Sequence, residues 1–298
     1  MLRLRRLSRR SMDLEFPIGR GRTCRVLERP GAWMDSAELA RIVEDLRVVA
    51  GAAVRHGTLA YGALTGERER LAQAVLTIVY EGKPPRPVAF SAMAWLPVEL
   101  RGTKRDILHL GLALVHPEAR GRNLSRSVYG VTMLLLFLRG GLKPLWVTNV
   151  SQVPSAIGSF ATYFDDAYPA LGADCRTPAH FAIAEQVIAR HRQAFGVGEE
   201  AELDLQRFVI LDAYTGGSDN LKKPFTEAAR HRRSSYGRLC LGTLDYERGD
   251  DFLQVGRYTA FVVFRCFLRR VRHHPWVAAV FRPKAPPVQL GHDGPPPV

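Results

Sequence analysis

Cysteine is scarce and scattered: four residues in 298, at positions 24, 175, 240 and 266, with no CxxC pair. That excludes a disulfide scaffold or a zinc ribbon as the organising device. It leads us to expect reduced thiols in a cytoplasmic protein. Long apolar runs are missing too. The uncharged stretch 127–138 falls well short of the about 20 residues that a membrane-spanning helix needs. No metal-ligand spacing occurs, so no metal is expected. A G-x-G-x-x-G turn is absent, which counts against a dinucleotide-binding Rossmann unit. Zinc-finger, RRM and basic-heptad signatures are also absent, and a nucleic-acid partner is not expected. Acids are in deficit: 29 Asp plus Glu against 42 Lys plus Arg leave a net charge of +13. Residues 3–29, 230–238 and 265–284 hold much of that surplus. Such fields attract phosphates, anionic lipid or an acidic carrier protein.

What is present describes a folded chain. Apolar residues make up 46%, which excludes wholesale disorder. Residues 23–29 read as a strand. Asp35 with Glu38 opens a helix over 36–50, with Leu39, Ile42, Val43 and Leu46 at helical spacing. Residues 73–81 and 88–96 form a hairpin around GKPPRP. A largely apolar strand runs over 106–115, then a polar turn, then a helix to about 139. Strand 144–150 and a helix over 154–166 follow. Farther on, we expect a helix over 179–194, strands over 205–214 and 238–246, and a basic amphipathic helix over 257–272.

The chemistry is concentrated in Val115-His116-Pro117-Glu118-Ala119-Arg120-Gly121-Arg122-Asn123-Leu124-Ser125, where a strand ends, turns and opens a helix. Free amides and the helix dipole make such a turn a phosphate site. Arg120 and Arg122 add positive charge, and Gly121 permits close backbone approach. This segment resembles the strand-to-helix signature of the GCN5-related N-acetyltransferase (GNAT) superfamily, Val-x-Pro-Glu-x-Arg-Gly-x-Gly-x-Gly/Ala. Asn123 and Ser125 stand at its two small positions. The following LWVTNVSQVPSAIGSFATYF resembles the family's second cofactor element, with Asn149 and Tyr163 as the matching residues.

The resemblance implies an α/β (α+β) fold: a GNAT-like mixed, mostly antiparallel central sheet with helices on both faces, plus a C-terminal elaboration. We therefore expect a basic flexible tail over 1–22 and a GNAT-like core over 23–170. An extension over 171–282 would complete the sheet and cover the site, and a disordered Pro/Gly-rich tail would span 283–298. The implied activity is N-acyl transfer from acetyl-CoA or a longer acyl-CoA, or from acyl carrier protein, to a small-molecule primary amine by direct attack. Ala113, Leu114 and Val115 would pair with the pantetheine arm. Residues Arg120, Gly121, Arg122, Asn123, Leu124 and Ser125 would hold the pyrophosphate, with Asn149 nearby. Tyr163 is the acid for the leaving thiolate by analogy; His109 and His116 are the candidate bases. His109 is read first as a satisfied core histidine, and Tyr163 equally as a packed helix aromatic. Two other functions compete: a catalytically silent domain of the same fold that binds a cofactor or partner, and a basic membrane- or nucleic-acid-binding protein. Residues 258–282 are the segment that would touch an anionic membrane; the plainer reading is a helix packed on the core with a solvated Arg face.

Overall fold

Alternating apolar residues and helical stripes assemble into one sheet covered on both faces. The computed structural model describes residues 3–8, 10–54, 59–122, 124–172 and 176–272, with 125–127 and 269–272 described by their backbone alone. In chain order the elements are β1 (Arg3–Ser8), β2 (Ser11–Gly19), β3 (Arg22–Glu28), α1 (Ser36–Ala53), α2 (Arg68–Leu71), β4 (Ala74–Glu81), β5 (Arg86–Leu100), β6 (Thr103–Leu110) and β7 (Ala113–Val115). Then come α3 (Leu124–Arg139), β8 (Leu145–Ser151), α4 (Pro154–Tyr163), β9 (Asp165–Tyr168), α5 (Pro178–His191), β10 (Glu202–Asp204), β11 (Val209–Leu211), α6 (Ser235–Thr243), β12 (Asp251–Tyr258) and α7 (Ala260–Arg272). The strand order is β1-β2-β3-β4-β5-β6-β8-β12-β11-β10, with β7 on β5 and β9 on β12. Neighbours are antiparallel except β6 and β8.

The stripe Leu39, Ile42, Val43, Leu46 and Val49 packs α1 on Leu27, Leu76, Ile78 and Phe90. Asp35 caps that helix, its Oδ1 accepting from the Glu38 N–H at 2.9 Å. Helix α5 covers the same face farther along, through Ile183, Val187 and Ile188. Helices α3, α4, α6 and α7 cover the opposite face.

Several expectations need correction. Residues 3–19 are not a tail but two edge strands. Met12, Leu14, Phe16 and Ile18 recur at every second position, a strand signal masked by the arginines around them. Several of the nine arginines in 3–29 are paired with acids of the fold: Arg22 on Glu81 at 2.8 Å, Arg25 on Asp13 at 2.6 Å and on Glu38 at 2.6 Å, Arg29 on Asp106 at 2.7 Å. Residues 238–243 are helical, not a strand: Tyr236 and Cys240, four apart, form the buried side of α6, and Leu244 is buried just past its end. The strand expected over 205–214 shrinks to β11, paired with β10 in a short hairpin. The helix expected from 257 begins at Ala260, because 251–258 is a strand. Strand β12, from beyond residue 170, lies between β8 and β9. Residues 283–298 lie outside the described residues.

Candidate functional site

The apolar strand expected over 106–115 breaks. β6 pairs in parallel with β8 only through Leu108↔Val147, His109↔Thr148 and Leu110↔Asn149. Past Leu110 the chain stays with β5 as β7, while β8 continues on β12 to Ser151. The two strands part and leave a gap. Gly111 sits at the break, where a Cβ would lie 2.2 Å from the Ala92 carbonyl oxygen, so a side chain there would push the chain off β5.

The hydrogen-bond alternation decides which backbone groups face the gap. Ala92 N donates to Leu112 O at 2.8 Å, and His116 N donates to Val88 O at 2.9 Å. In an antiparallel ladder, residues that bond the partner strand alternate with residues that point away. Leu112, Leu114 and His116 therefore turn their polar backbone groups to β5. Ala113 and Val115 aim theirs at the gap, where no strand pairs with them among the described residues. Sequence reasoning named 113–115 as a unit; the ladder separates Leu114 from its neighbours.

Beyond β7, His116 caps a single turn at 117–119, its Nδ1 accepting from the Glu118 N–H at 3.4 Å, and Glu118 pairs with Arg86 at 2.9 Å. Gly121 then takes φ +76°, exposed, with nothing within 4 Å of a built Cβ. Among the described residues, the N–H groups of Gly121, Arg122 and Leu124 find no backbone acceptor. Arg120 donates to Ala53 O at 3.2 Å, and Arg122 to Glu81 at 2.9 Å. Glu81 is shared with Arg22, which holds its carboxyl below the usual carboxylate range. Four guanidinium groups, of Arg22, Arg86, Arg120 and Arg122, against the two acids Glu81 and Glu118 leave this turn positive. Leu124 is buried against Val128 and Ala119 and fixes the start of α3. Asn123 lies outside the described residues, and Ser125 is described by its backbone alone.

His109 points to the α1–α5 face and is almost fully buried. Its Nδ1 lies 3.0 Å from Thr148 Oγ1, and the Phe195 ring stacks at 4.7 Å. Burial, with His191 nearby, pushes it down to about 3, so the ring is neutral near pH 7. It forms part of the floor of a cavity of about 710 Å³ between the α2 side and the end of α5, lined also by Gly111, Glu67, Arg70 and Glu199.

Asn149 turns to the other face, where its Nδ2 donates to Gln254 Oε1 at 3.2 Å. Tyr163 is not at the gap. Helix α4 starts beside the end of β8 and rises about 1.5 Å per residue. Tyr163, its last residue, therefore lies at the far end, next to Thr162, whose carbonyl accepts from Arg265 at 3.3 Å. There it packs with the Phe164 and Tyr258 cluster.

Another set of side chains stands at the gap. Tyr129 of α3 donates its hydroxyl to Gly111 O at 2.5 Å. At the start of β12, Asp251 Oδ1 accepts from Tyr214 Oη at 2.9 Å. Burial, reinforced by Asp250 and opposed by the Tyr214 hydrogen bond, pushes the Asp251 carboxyl up to about 7. Burial, then Tyr129, then Asp251, raise the phenol of Tyr61, which lines a smaller cavity of about 280 Å³. Gln152, just past β8, is wholly buried beside Tyr214, and among the described residues neither of its amide atoms has a partner at hydrogen-bonding geometry. Sequence reasoning missed this set, because β12 was not recognised as a strand and no motif links residues 61, 129, 152, 214 and 251.

A mixed, mostly antiparallel sheet, flanked by helices and parted between its two parallel strands beside a glycine turn, is a GNAT-like fold. No family model matches the sequence, and no curated protein matches it. Solved structures match locally. Ribosomal-protein-S5-alanine acetyltransferase from Vibrio fischeri is 14% identical, with 47% of this chain and 74% of that chain covered and a TM-score of 0.32. An acetyltransferase from Trypanosoma brucei is 17% identical, with 40% and 77% covered and a TM-score of 0.27. AtaTR bound with acetyl-CoA is 14% identical, with 28% and 53% covered and a TM-score of 0.22. In the structures matched first, this chain spans about half of the other chain's length.

Proposed function

We propose that the chain is an N-acyltransferase that takes an acyl group from acyl-CoA and delivers it to a primary amine. The observation that carries this reading is the parted pair β6 and β8, with the amide edge of Ala113 and Val115 facing the gap and leading into the Gly121 turn. An extended pantetheine arm is a chain of amides, and such an edge pairs with it as a strand would. The Gly121, Arg122 and Leu124 amides, with Arg120 and Arg122, are the anion end, suited to a diphosphate.

The amine enters from the 710 Å³ cavity, whose floor includes His109 and Gly111 at the gap. Its lone pair attacks the thioester carbon and the C–N bond forms. The N–H of Ala113 or Val115 stabilises the oxygen that gains charge. The C–S bond breaks, and the thiolate takes a proton. Tyr129, whose hydroxyl lies at the gap, is the tyrosine placed for that transfer, in place of Tyr163. For the amine's proton, a base works best with a pKa near the working pH. His109, pushed down to about 3, is too weak a base for this.

Thermal unfolding with a panel of acyl-CoAs tests the reading, because a ligand that binds only the folded state raises the melting temperature. A rise with at least one donor, followed by release of free thiol when amines are added, is the expected result. A rise without turnover for any amine leaves the silent domain of the same fold. No rise for any chain length removes the proposal.

A further inference from the structure

The last helix turns the wrong residues outward for a solvated Arg face. On α7, Phe261 is 61% exposed, Phe264 56%, Phe267 62% and Leu268 42%. Phe261, Phe264 and Leu268 are spaced i, i+3 and i+7, so they share one side of the helix. The opposite side is anchored. Val262 is fully buried in the cluster with Met133, Leu136, Phe137 and Tyr258, and Val263 and Cys266 pack beside it. Thr259, just ahead of α7, donates to Asp165, and Arg265 pairs with the same carboxylate at 3.3 Å. The helix is thus fixed on the fold with an aromatic stripe left in water. On the same side of the sheet, α3 exposes Leu134 and Leu138, and Leu142 follows. An exposed aromatic stripe of this kind marks a contact site.

Charge selects the occupant. Helix α7 carries Arg265, Arg269, Arg270 and Arg272, and the sequence has no acid between Asp251 and Asp293. Two copies of the chain meeting through this stripe would bring those arginines together, and like charges oppose that contact. A surface that accepts phenylalanine and attracts arginine is the headgroup region of an anionic bilayer, where an amphipathic helix lies flat with its apolar side down. We propose that α7 docks the protein on anionic membrane through Phe261, Phe264, Phe267 and Leu268. The proposal is independent of the acyltransferase reading.

Flotation of the full chain with vesicles tests it. Phosphatidylcholine vesicles containing phosphatidylserine should carry the protein, pure phosphatidylcholine vesicles should carry much less, and added salt should release it. The double variant Phe261→Ser/Phe264→Ser should bind at least about tenfold more weakly, since each phenylalanine adds apolar burial. Its melting temperature should hold, because both rings already stand in solvent. The variant Arg269→Gln/Arg270→Gln should lose binding mainly at low salt. Wild-type protein that fails to float with anionic vesicles overturns the proposal. So does a serine variant that floats as well as wild type. A dimer in solution that the serine variant dissolves, with no vesicle binding, would assign the stripe to a second copy instead.

Discussion

His109 and Asp251 are both buried ionisable groups, and burial moves them in opposite directions because it disfavours whichever form is charged. For Asp251 the folded pKa, about 7, lies above the usual carboxylate value of about 3.9. The folded state therefore holds the proton more tightly than the unfolded chain. The stability this contributes is complete below about pH 4 and is lost as pH rises through about 7. His109 runs the other way, its contribution present above about pH 6.5 and lost as pH falls toward about 3. Asp251→Asn removes the first effect and keeps an acceptor for Tyr214. We expect its melting temperature to decline less than that of the wild type between pH 4 and 7. Unfolding curves collected across that range check this, and parallel pH dependences would rule it out. Tyr61, Tyr214 and Tyr246 face the same carboxyl, and Asp250, its neighbour, is held by Arg248 at 2.7 Å.

At the scale of elements, the gap depends on two glycines with different duties. Gly111 has no room for a side chain, its built Cβ meeting the Ala92 carbonyl at 2.2 Å, whereas Gly121 has open space and a positive φ. Gly111→Ala should cost about 1–3 kcal/mol, as overpacking does, and should weaken acyl-CoA binding by displacing the edge of β7. Gly121→Ala should cost about 1 kcal/mol of left-handed backbone strain, and any loss of binding should follow from the turn alone. Denaturant titration and donor-induced shifts on both variants separate the two. Local order was largely legible here: the strand-turn-helix over 106–139 follows from an apolar run, a Pro/Gly-containing turn and a helical stripe. The split into β6 and β7 was not, because 106–115 is apolar enough to read as one strand, and only the competition between β5 and β8 for its edge breaks it.

Across the whole molecule, the middle of the sheet depends on a late segment. Strand β12 pairs with β8 along its length and carries β9 and β11 on its other edge. A chain ending at residue 250 would leave β8, β9 and β11 without their common partner. We expect it to show no cooperative unfolding transition by calorimetry. Removing residues 1–8 takes away the exposed edge strand β1 with its contacts to Glu15 and Arg139, and the transition should survive at a modestly lower temperature.

The residues themselves determined most local elements between residues 22 and 168 and the polar, glycine-containing turn among them, since periodicity, capping and glycine placement act over a few neighbours. Tertiary structure alone decided the remainder. It inserted β12 beside β8, opened the gap, moved Tyr163 away from it, and gathered Tyr61, Tyr129, Gln152, Tyr214 and Asp251 around it. It also turned the phenylalanines of α7 outward. Each of these depends on contacts between segments far apart in the chain. No window of sequence contains both partners of such a contact.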